Sequence, residues 1–423
     1  MKTGIYYYNT GSSILLKNAH NNSIACLPVV AIEEAHENSR AAGLINAALK
    51  NNGFFAPVEN KSEGRLQILL SVSNRCNLHC TYCFEQEKNT TNLSKNTADS
   101  LLKFIDTKLC QEKFYEIDIT FTGGEPLINP AKIDYITKAL ISTYGQKYSL
   151  KFSVITNGTL YTKTLFDTFE GYPIEIQITL DGFRPSHNNY RIGNNGEKTF
   201  DLICTNIDRL LKETNVNISL RINMVTKNNS EYLSLLDLLE GKWSDYYKLG
   251  RIRHYFAFLD VDESKTDLIF SDAEMLTSVY SICAKEEELS LPMAEELRAG
   301  SICMIRNKDG YTIDADGMIY GCFSFVGNKK FNIGNVQCNQ ANKKNLNDFI
   351  CNQNDCSFFQ KCYGGCIYSN YIKTGALAPF CRKEYYVNAN KILFAFSLQH
   401  MGLAHFTCLQ EVLENVGFGE INI

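Results

Sequence analysis

Apolar and polar residues alternate in six short segments along the middle of the chain: Leu66–Val72, Ile117–Phe121, Leu150–Val154, Ile174–Leu180, Val216–Ile222 and Ile252–Leu259. A period of two predicts a strand in each. The intervening stretches carry helical spacing, as at Ala98, Leu101, Leu102, Ile105 and Leu109. Ser271-Asp-Ala-Glu274 is a capping box that opens a further helix. Strand and helix in strict alternation predict an α/β fold with a parallel sheet and right-handed crossovers. A partial (β/α)6 barrel is the natural closure.

The polar members of these strands change that picture. Gln177, Thr179 and Asp181 alternate with Ile176, Ile178 and Leu180. Asn217, Ser219, Arg221 and Asn223 alternate with Ile218, Leu220 and Ile222. Parallel strands buried on both faces read as continuous apolar runs. A polar face therefore points to a lumen that holds a ligand.

Residues 1–65 read as a separate α+β unit. Ile5–Tyr8 and Ser13–Leu16 flank Asn9-Thr-Gly11 as a hairpin, a helix covers Ala41–Lys50, and Phe54–Val58 is expected as a returning strand. The layout resembles the small winged-helix modules that bind leader peptides in peptide maturases; a cap over the barrel end is the alternative. The expected divisions are 1–65, a barrel at 66–295, a cysteine-rich region at 296–385 and a helical tail at 386–423. Ile392 to Leu398 is apolar but short, and reads as a core helix.

Composition excludes several function classes. The chain has 423 residues and a formal net charge of −4, with no long basic stretch, so phosphate neutralisation on nucleic acid is not expected. No apolar run approaches the roughly 20 residues that span a bilayer, and no secretory signal opens the sequence. A cytosolic protein without a membrane partner is expected. Sixteen cysteines then imply metal or redox chemistry rather than a disulfide framework. Five of them (Cys26, Cys110, Cys204, Cys283 and Cys408) read as ordinary buried thiols.

The chemistry concentrates in Cys76-Asn-Leu-His-Cys80-Thr-Tyr82-Cys83, directly after the first barrel strand. Three thiolates on a short loop can hold three irons of a [4Fe–4S] cube and leave the fourth iron open; zinc is the other reading of such a triplet. Three further segments follow in order. They are Thr122-Gly123-Gly124-Glu125-Pro126, Ser153-Val-Ile-Thr156-Asn157-Gly158, and Gln177-Ile-Thr179-Leu-Asp181-Gly182 followed by His187 and Arg191. Together, over about residues 66–260, they resemble the radical S-adenosylmethionine (SAM) enzymes. The resemblance implies that the open iron chelates the methionyl group of SAM and that a 5′-deoxyadenosyl radical removes a substrate hydrogen. It also implies cofactor contacts from Tyr82 near the adenine, from Gly124 and Glu125 at the methionyl amino group, from Ser153 and Asn157, and from Arg191 at the carboxylate. An electron donor such as flavodoxin or ferredoxin is implied as well.

A second dense region runs from Cys303 to Cys381, with Gly317-x4-Cys322, Cys356-x5-Cys362-x3-Cys366 and a late lone cysteine. It resembles the SPASM extension, which carries two auxiliary [4Fe–4S] clusters. Carried over, Cys303, Cys322 and Cys366 serve the first cluster, and Cys356, Cys362 and Cys381 the second. Gln353 stands where the family usually has a cysteine, which leaves Cys351 as the replacement. Cys338 or an open position completes the first cluster. Structural zinc sites use similar spacings and remain the alternative.

The SPASM resemblance implies a peptide substrate. Two subfamilies fit: maturases that cross-link a ribosomally made precursor peptide through thioether or carbon–carbon bonds, and anaerobic sulfatase maturases that make formylglycine. The latter commonly place an aspartate directly after the Gly-x4-Cys cysteine, where this chain has Phe323. They also begin close to the cluster loop, whereas about 65 residues precede the first barrel strand here. Both features favour the cross-linking maturase. No catalytic base is identifiable. A radical enzyme acting on a small molecule and a non-catalytic, zinc-containing peptide-binding protein are the remaining readings.

Overall fold

The computed structural model describes residues 4–56, 64–84, 90–261, 264–293, 303–305, 307–342, Cys351, 356–358, Cys362 and 364–419. The chain divides into two compact units, one of residues 1–60, 270–299 and 349–423, the other of residues 61–269 and 300–348.

The second unit is built on the six alternating segments. They form β4 (Arg65–Ser73), β5 (Glu116–Gly123), β6 (Ser149–Thr156), β7 (Ile174–Leu180), β8 (Asn217–Met224) and β9 (Ile252–Phe258). Each pairs in parallel with the next. The apolar set packs under the helices: Ile176, Ile178, Leu180, Leu220 and Ile222 are fully buried. Opposite them on the sheet, the helix Phe200–Glu213 buries Phe200, Ile203, Ile207 and Leu210 at helical spacing.

A four-stranded extension was not visible in the sequence. β10 (Gly310–Ile313) adds in parallel to β4, and β11 (Met318–Tyr320), β12 (Asn332–Asn335) and β13 (Gln340–Ala341) continue the sheet antiparallel. Cys322 stands just beyond β11.

The first unit carries a sheet in the order β14–β1–β2–β3, formed by β1 (Ile5–Asn9), β2 (Ser13–Asn18), β3 (Ile24–Pro28) and β14 (Gly417–Gly419). The expected hairpin is present. The third strand, however, is Ile24–Pro28. Phe54 instead ends the helix Ser39–Asn51, its N–H bonded to Leu49 O at 2.9 Å. Phe54 to Ala56 is not a strand, and residues 57–58 lie outside the described residues. Phe54 is drawn inward because Ile5, Leu16 and Leu49 offer it a core.

The apolar run at Ile392 to Leu398 lies in the helix Lys383–His400, whose Ile392, Phe394, Ala395 and Leu398 are buried. The capping box at Ser271 and Glu274 is formed. Among the described residues no helix is long and apolar enough to cross a membrane. Cys204 and Cys283 are buried helical thiols as expected, but Cys26, Cys110 and Cys408 are exposed. Their positions fall at the open edge strand, at a helix end and at a helix cap, where no neighbouring element covers them.

Candidate functional site

The parallel strands β4 to β8 end on one rim, and the residues singled out in the sequence gather there. The loop after β4 carries Cys76, Cys80 and Cys83, all half-buried. Backbone bonds fasten it to a second segment: His79 N to Ile192 O at 2.8 Å and Thr81 N to Tyr190 O at 3.1 Å. Asn194 Nδ2 donates to Cys76 O at 3.0 Å. Two donors face the Cys76 sulfur, Leu78 N at 3.4 Å and Asn157 Nδ2 at 3.8 Å. Such donors stabilise a thiolate.

Burial raises the Cys76 thiol and pushes Cys80 up to about 12, with the Arg191 charge opposing in the latter case. Burial thus favours the neutral thiols over free thiolates. Among the described residues no three His, Cys, Asp or Glu side chains are grouped to hold a single metal ion. Three half-buried thiols on one short loop are the donor set that a four-iron cube with one open iron takes.

Gly123 and Gly124 bring their backbone unusually close to a neighbour. The close approach is to the chain itself: a Cβ on Gly123 would run into Ser73 O, and one on Gly124 into Arg75 O. Gly123 also has φ +138°, open to glycine. Glu125 N donates to Arg75 O at 2.8 Å, which ties this turn to the cysteine loop. The Glu125 carboxylate is fully buried and accepts from Leu127 N (2.9 Å), Thr156 Oγ1 (2.7 Å) and Asn157 N (2.7 Å). It joins the ends of β5 and β6. Asn157 in turn donates to Asn77 Oδ1 at 2.9 Å, inside the cysteine loop. Ser153 lies on β6 on the face shared with Lys151 and opposite Leu150 and Phe152, half-buried.

Arg191 is buried, 7% exposed. Its Nη1 donates to Tyr82 Oη at 3.0 Å, while its Nε is buried without a hydrogen-bond partner. Tyr82 donates to Asp181 Oδ2, and Asn223 Nδ2 bridges Tyr82 Oη (3.1 Å) and Asp181 Oδ1 (3.0 Å). Burial raises Asp181, and Arg191 beside it pulls it back. The Tyr82 ring packs against the cluster of Val225, Val261 and Leu268. An orphaned buried guanidinium N–H at the mouth of the cysteine loop suits an anionic group, and a cofactor carboxylate fits it.

His187 sets this arrangement from behind. Thr199 Oγ1 donates to Arg191 O at 2.8 Å, so it accepts from His187 Nε2 at 3.0 Å; His187 Nδ1 accepts from Asp181 N at 3.2 Å. Burial, with Arg191 adding, holds His187 well below its usual value, and the ring is neutral. Asp181, Asn223 and His187 were not assigned a role from sequence. The polar strand face was the only signal for Asn223.

In the first unit, Cys351, Cys356, Cys362 and Cys381 line one pocket together with Phe358, Gly364, Lys383 and Tyr386. Gly364 has φ +95°, and a Cβ there would stand 2.9 Å from Cys351 Cβ. The Gly364-Gly365 turn thus lets the Cys362 loop close on Cys351. Gln353 lies outside the described residues. Cys366 caps the helix Ile367–Thr374, its sulfur accepting from Ser369 N at 3.5 Å. Cys303, Cys322 and Cys338 belong to the other unit, where Cys303 and Cys338 are exposed and Cys322 is half-buried. Phe323 packs against Phe84, just past Cys83.

Residues 70–239 match the family model described as "Radical SAM superfamily". A cysteine-type anaerobic sulfatase-maturating enzyme of Clostridium novyi is 25% identical over 341 residues, 71% of this chain and 87% of that protein. Several other relatives match over shorter stretches, less than half of their own length. The solved structure titled "Native anSMEcpe with bound AdoMet and Cp18Cys peptide" superposes with a TM-score of 0.60 at 18% identity, over 80% of this chain and 98% of that one. SuiB of Streptococcus suis, solved with S-adenosylmethionine, superposes with a TM-score of 0.50 at 14% identity, over 89% of this chain and 96% of that one. At these identities the two structures bear on fold.

Proposed function

Because residues 70–239 match the radical SAM family model, we propose that the chain is a radical SAM enzyme that modifies a ribosomally made precursor peptide by forming a thioether or carbon–carbon cross-link. Cys76, Cys80 and Cys83 hold the [4Fe–4S] cluster. Arg191 takes the methionyl carboxylate through its unpartnered Nε, and Tyr82 stands beside the adenine. The Gly124-Glu125 turn, Ser153 and Asn157 complete the cofactor contacts. Held by these residues, the cluster and SAM would supply the radical chemistry of hydrogen-atom abstraction from a substrate. The protein's own part is to fix these groups: Glu125 locks two strand ends, and Asp181 and Asn223 hold Tyr82 and Arg191 in one orientation.

The observation that carries the reading is the pocket lined by Cys351, Cys356, Cys362 and Cys381 in a chain that also bears the three-thiol loop. We assign these four to the second auxiliary [4Fe–4S] cluster, with Cys351 in the place of the missing residue 353 ligand. Cys303, Cys322 and Cys366 are assigned to the first. An auxiliary cluster suits a net two-electron oxidation, since it can accept the electron left after bond formation. The peptide substrate is supported by the peptide named with the anSMEcpe structure and by the sulfatase-maturating relative. Residues 1–65 are assigned to leader-peptide engagement, the electron donor to a flavodoxin or ferredoxin, and the site of action to the cytosol.

Formylglycine formation is the second reading, favoured by the 341-residue match to the sulfatase-maturating enzyme. Phe323 in place of the aspartate favours the first. Coexpression with a candidate peptide encoded beside the enzyme, followed by mass spectrometry, separates them. A cross-link removes two hydrogens and leaves the peptide resistant to sequencing across the joined residues. Formylglycine made from a Cys shows a different mass change; made from a Ser it also loses two hydrogens, but the peptide then sequences throughout with the change at that one residue. An unmodified peptide rejects both.

A further inference from the structure

The lumen face of β4 to β9 carries four cationic side chains: Arg65, Lys151, Arg221 and Arg253. Three are matched by carboxylates. Arg65 and Lys151 both pair with Glu116, Lys151 at 2.8 Å, and Arg253 pairs with Glu175 at 2.7 Å. Arg221 makes no ion pair among the described residues. Its Nε donates to Asn223 Oδ1 at 2.8 Å, and no further partner of its guanidinium is found there.

Asp181 does not supply the missing charge. One of its oxygens accepts from Tyr82 and the other from Asn223. It also faces Arg191, so a single carboxylate stands between two guanidinium groups. Arg221 is half-buried on this polar face of the sheet. A ligand carboxylate there gains a charge-assisted pair. The cofactor offers one, which Arg191 takes in the reading above. Arg221 is left for another.

The surroundings of Arg221 suit a peptide. In register it is flanked by Thr179 on β7 and Tyr255 on β9. Tyr255 donates to Gln177 Oε1 at 2.8 Å, one turn of the sheet pleat below. Hydroxyls and an amide around a planar donor fork can bind a carboxylate and the adjoining peptide groups. The link from Arg221 through Asn223 to Tyr82 also places this cation next to the cysteine loop.

We propose that Arg221 is a substrate-binding residue that receives a carboxylate of the peptide close to the modified position. This deepens the peptide reading and rests on it. The carboxylate comes from an Asp or Glu side chain or from the peptide's C-terminus.

The test uses the full chain, reconstituted anaerobically and loaded with SAM. It is presented with a synthetic pool of short randomised peptides, made once with free and once with amidated C-termini. Retained peptides are identified by mass spectrometry. Wild type is expected to enrich acidic peptides about tenfold over their Asn/Gln counterparts, the scale of one charge-assisted pair. Enrichment confined to the free-acid pool identifies the C-terminus instead. Arg221→Gln loses the preference, Arg221→Lys keeps part of it, and SAM affinity by equilibrium dialysis changes less than about twofold in either. Retention without acid preference, or a preference that survives in Arg221→Gln, overturns the assignment. So does a tenfold loss of SAM affinity, which returns Arg221 to the cofactor. If wild type retains no peptide from either pool, the peptide reading itself falls and this assignment with it.

Discussion

Phe323 lies edge-on against Phe84, ring centroids 5.1 Å apart with planes at 76°. The first ring follows Cys322, the second follows Cys83, so an apolar contact joins the two cysteine-bearing loops of this unit. In sulfatase maturases the position of Phe323 commonly holds an aspartate acting as base. Here the half-buried Phe323 packs its ring on Phe84 instead. Phe323→Asp gives up that ring pair and is expected to destabilise the folded enzyme by about 0.5–1.5 kcal/mol. It should make no formylglycine on Cys- or Ser-containing peptides. Formylglycine from this variant, seen by mass spectrometry, would restore the sulfatase-maturase reading.

The cysteines divide into sets with separable losses. Cys76→Ala, Cys80→Ala and Cys83→Ala should each abolish 5′-deoxyadenosine formation and remove about four irons per chain. Cys351→Ala and Cys362→Ala should also remove about four irons, yet leave cofactor cleavage at least in part. Iron and sulfide analysis of anaerobically purified protein checks both. A Cys351→Ala protein with the iron content of wild type removes Cys351 from the ligand set.

The barrel was legible because its strands alternate so regularly. Ile174–Leu180 and Ile252–Leu259 were placed to within a residue, since one face must be apolar to pack under helices. The cysteine loop and the rim segments were legible from spacing. What was not legible depends on pairing between distant residues. Gly310–Ile313 joins β4 across more than two hundred residues, and Gly417–Gly419 joins the N-terminal strand Ile5–Asn9. Nothing local marks either partner. Nothing local marks Arg191 as buried, because its burial follows from Tyr82 and Asp181, which reach it from other elements. Phe54 misled because a helix end and a strand start carry the same apolar signal.

Asp181 holds the rim network together. Asp181→Asn removes the charge facing Arg191 while keeping the shape. The two side chains are joined through Tyr82 Oη rather than by a direct ion pair, and weakening a hydrogen bond to a charged group is expected to cost about 1–3 kcal/mol in denaturant unfolding of the anaerobic holoenzyme. The double variant Asp181→Asn with Arg191→Gln should lose less than the sum of the two single changes, because the second removes the stranded cation. Strict additivity would show that the two side chains do not interact.

Asp118 gives the pH dependence a definite sign. It lies on the lumen face of β5, and burial pushes its carboxyl up to about 6, with Arg65 opposing and Glu116 adding. Between the unfolded value near 3.8 and 6, the folded chain holds a proton that the unfolded chain has released. The folded state therefore binds more protons, and stability falls as pH rises through this window. Above it the whole penalty is present. Asp118→Asn abolishes the ionisation and should stabilise the protein by about 1–2 kcal/mol at pH 7. The gain should shrink as pH falls through 6 and vanish near 4. Thermal unfolding of both proteins across that range measures it. A variant that gains most at low pH would mean that Asp118 is held ionised by Arg65 and Lys151, the reverse of the balance set by its burial.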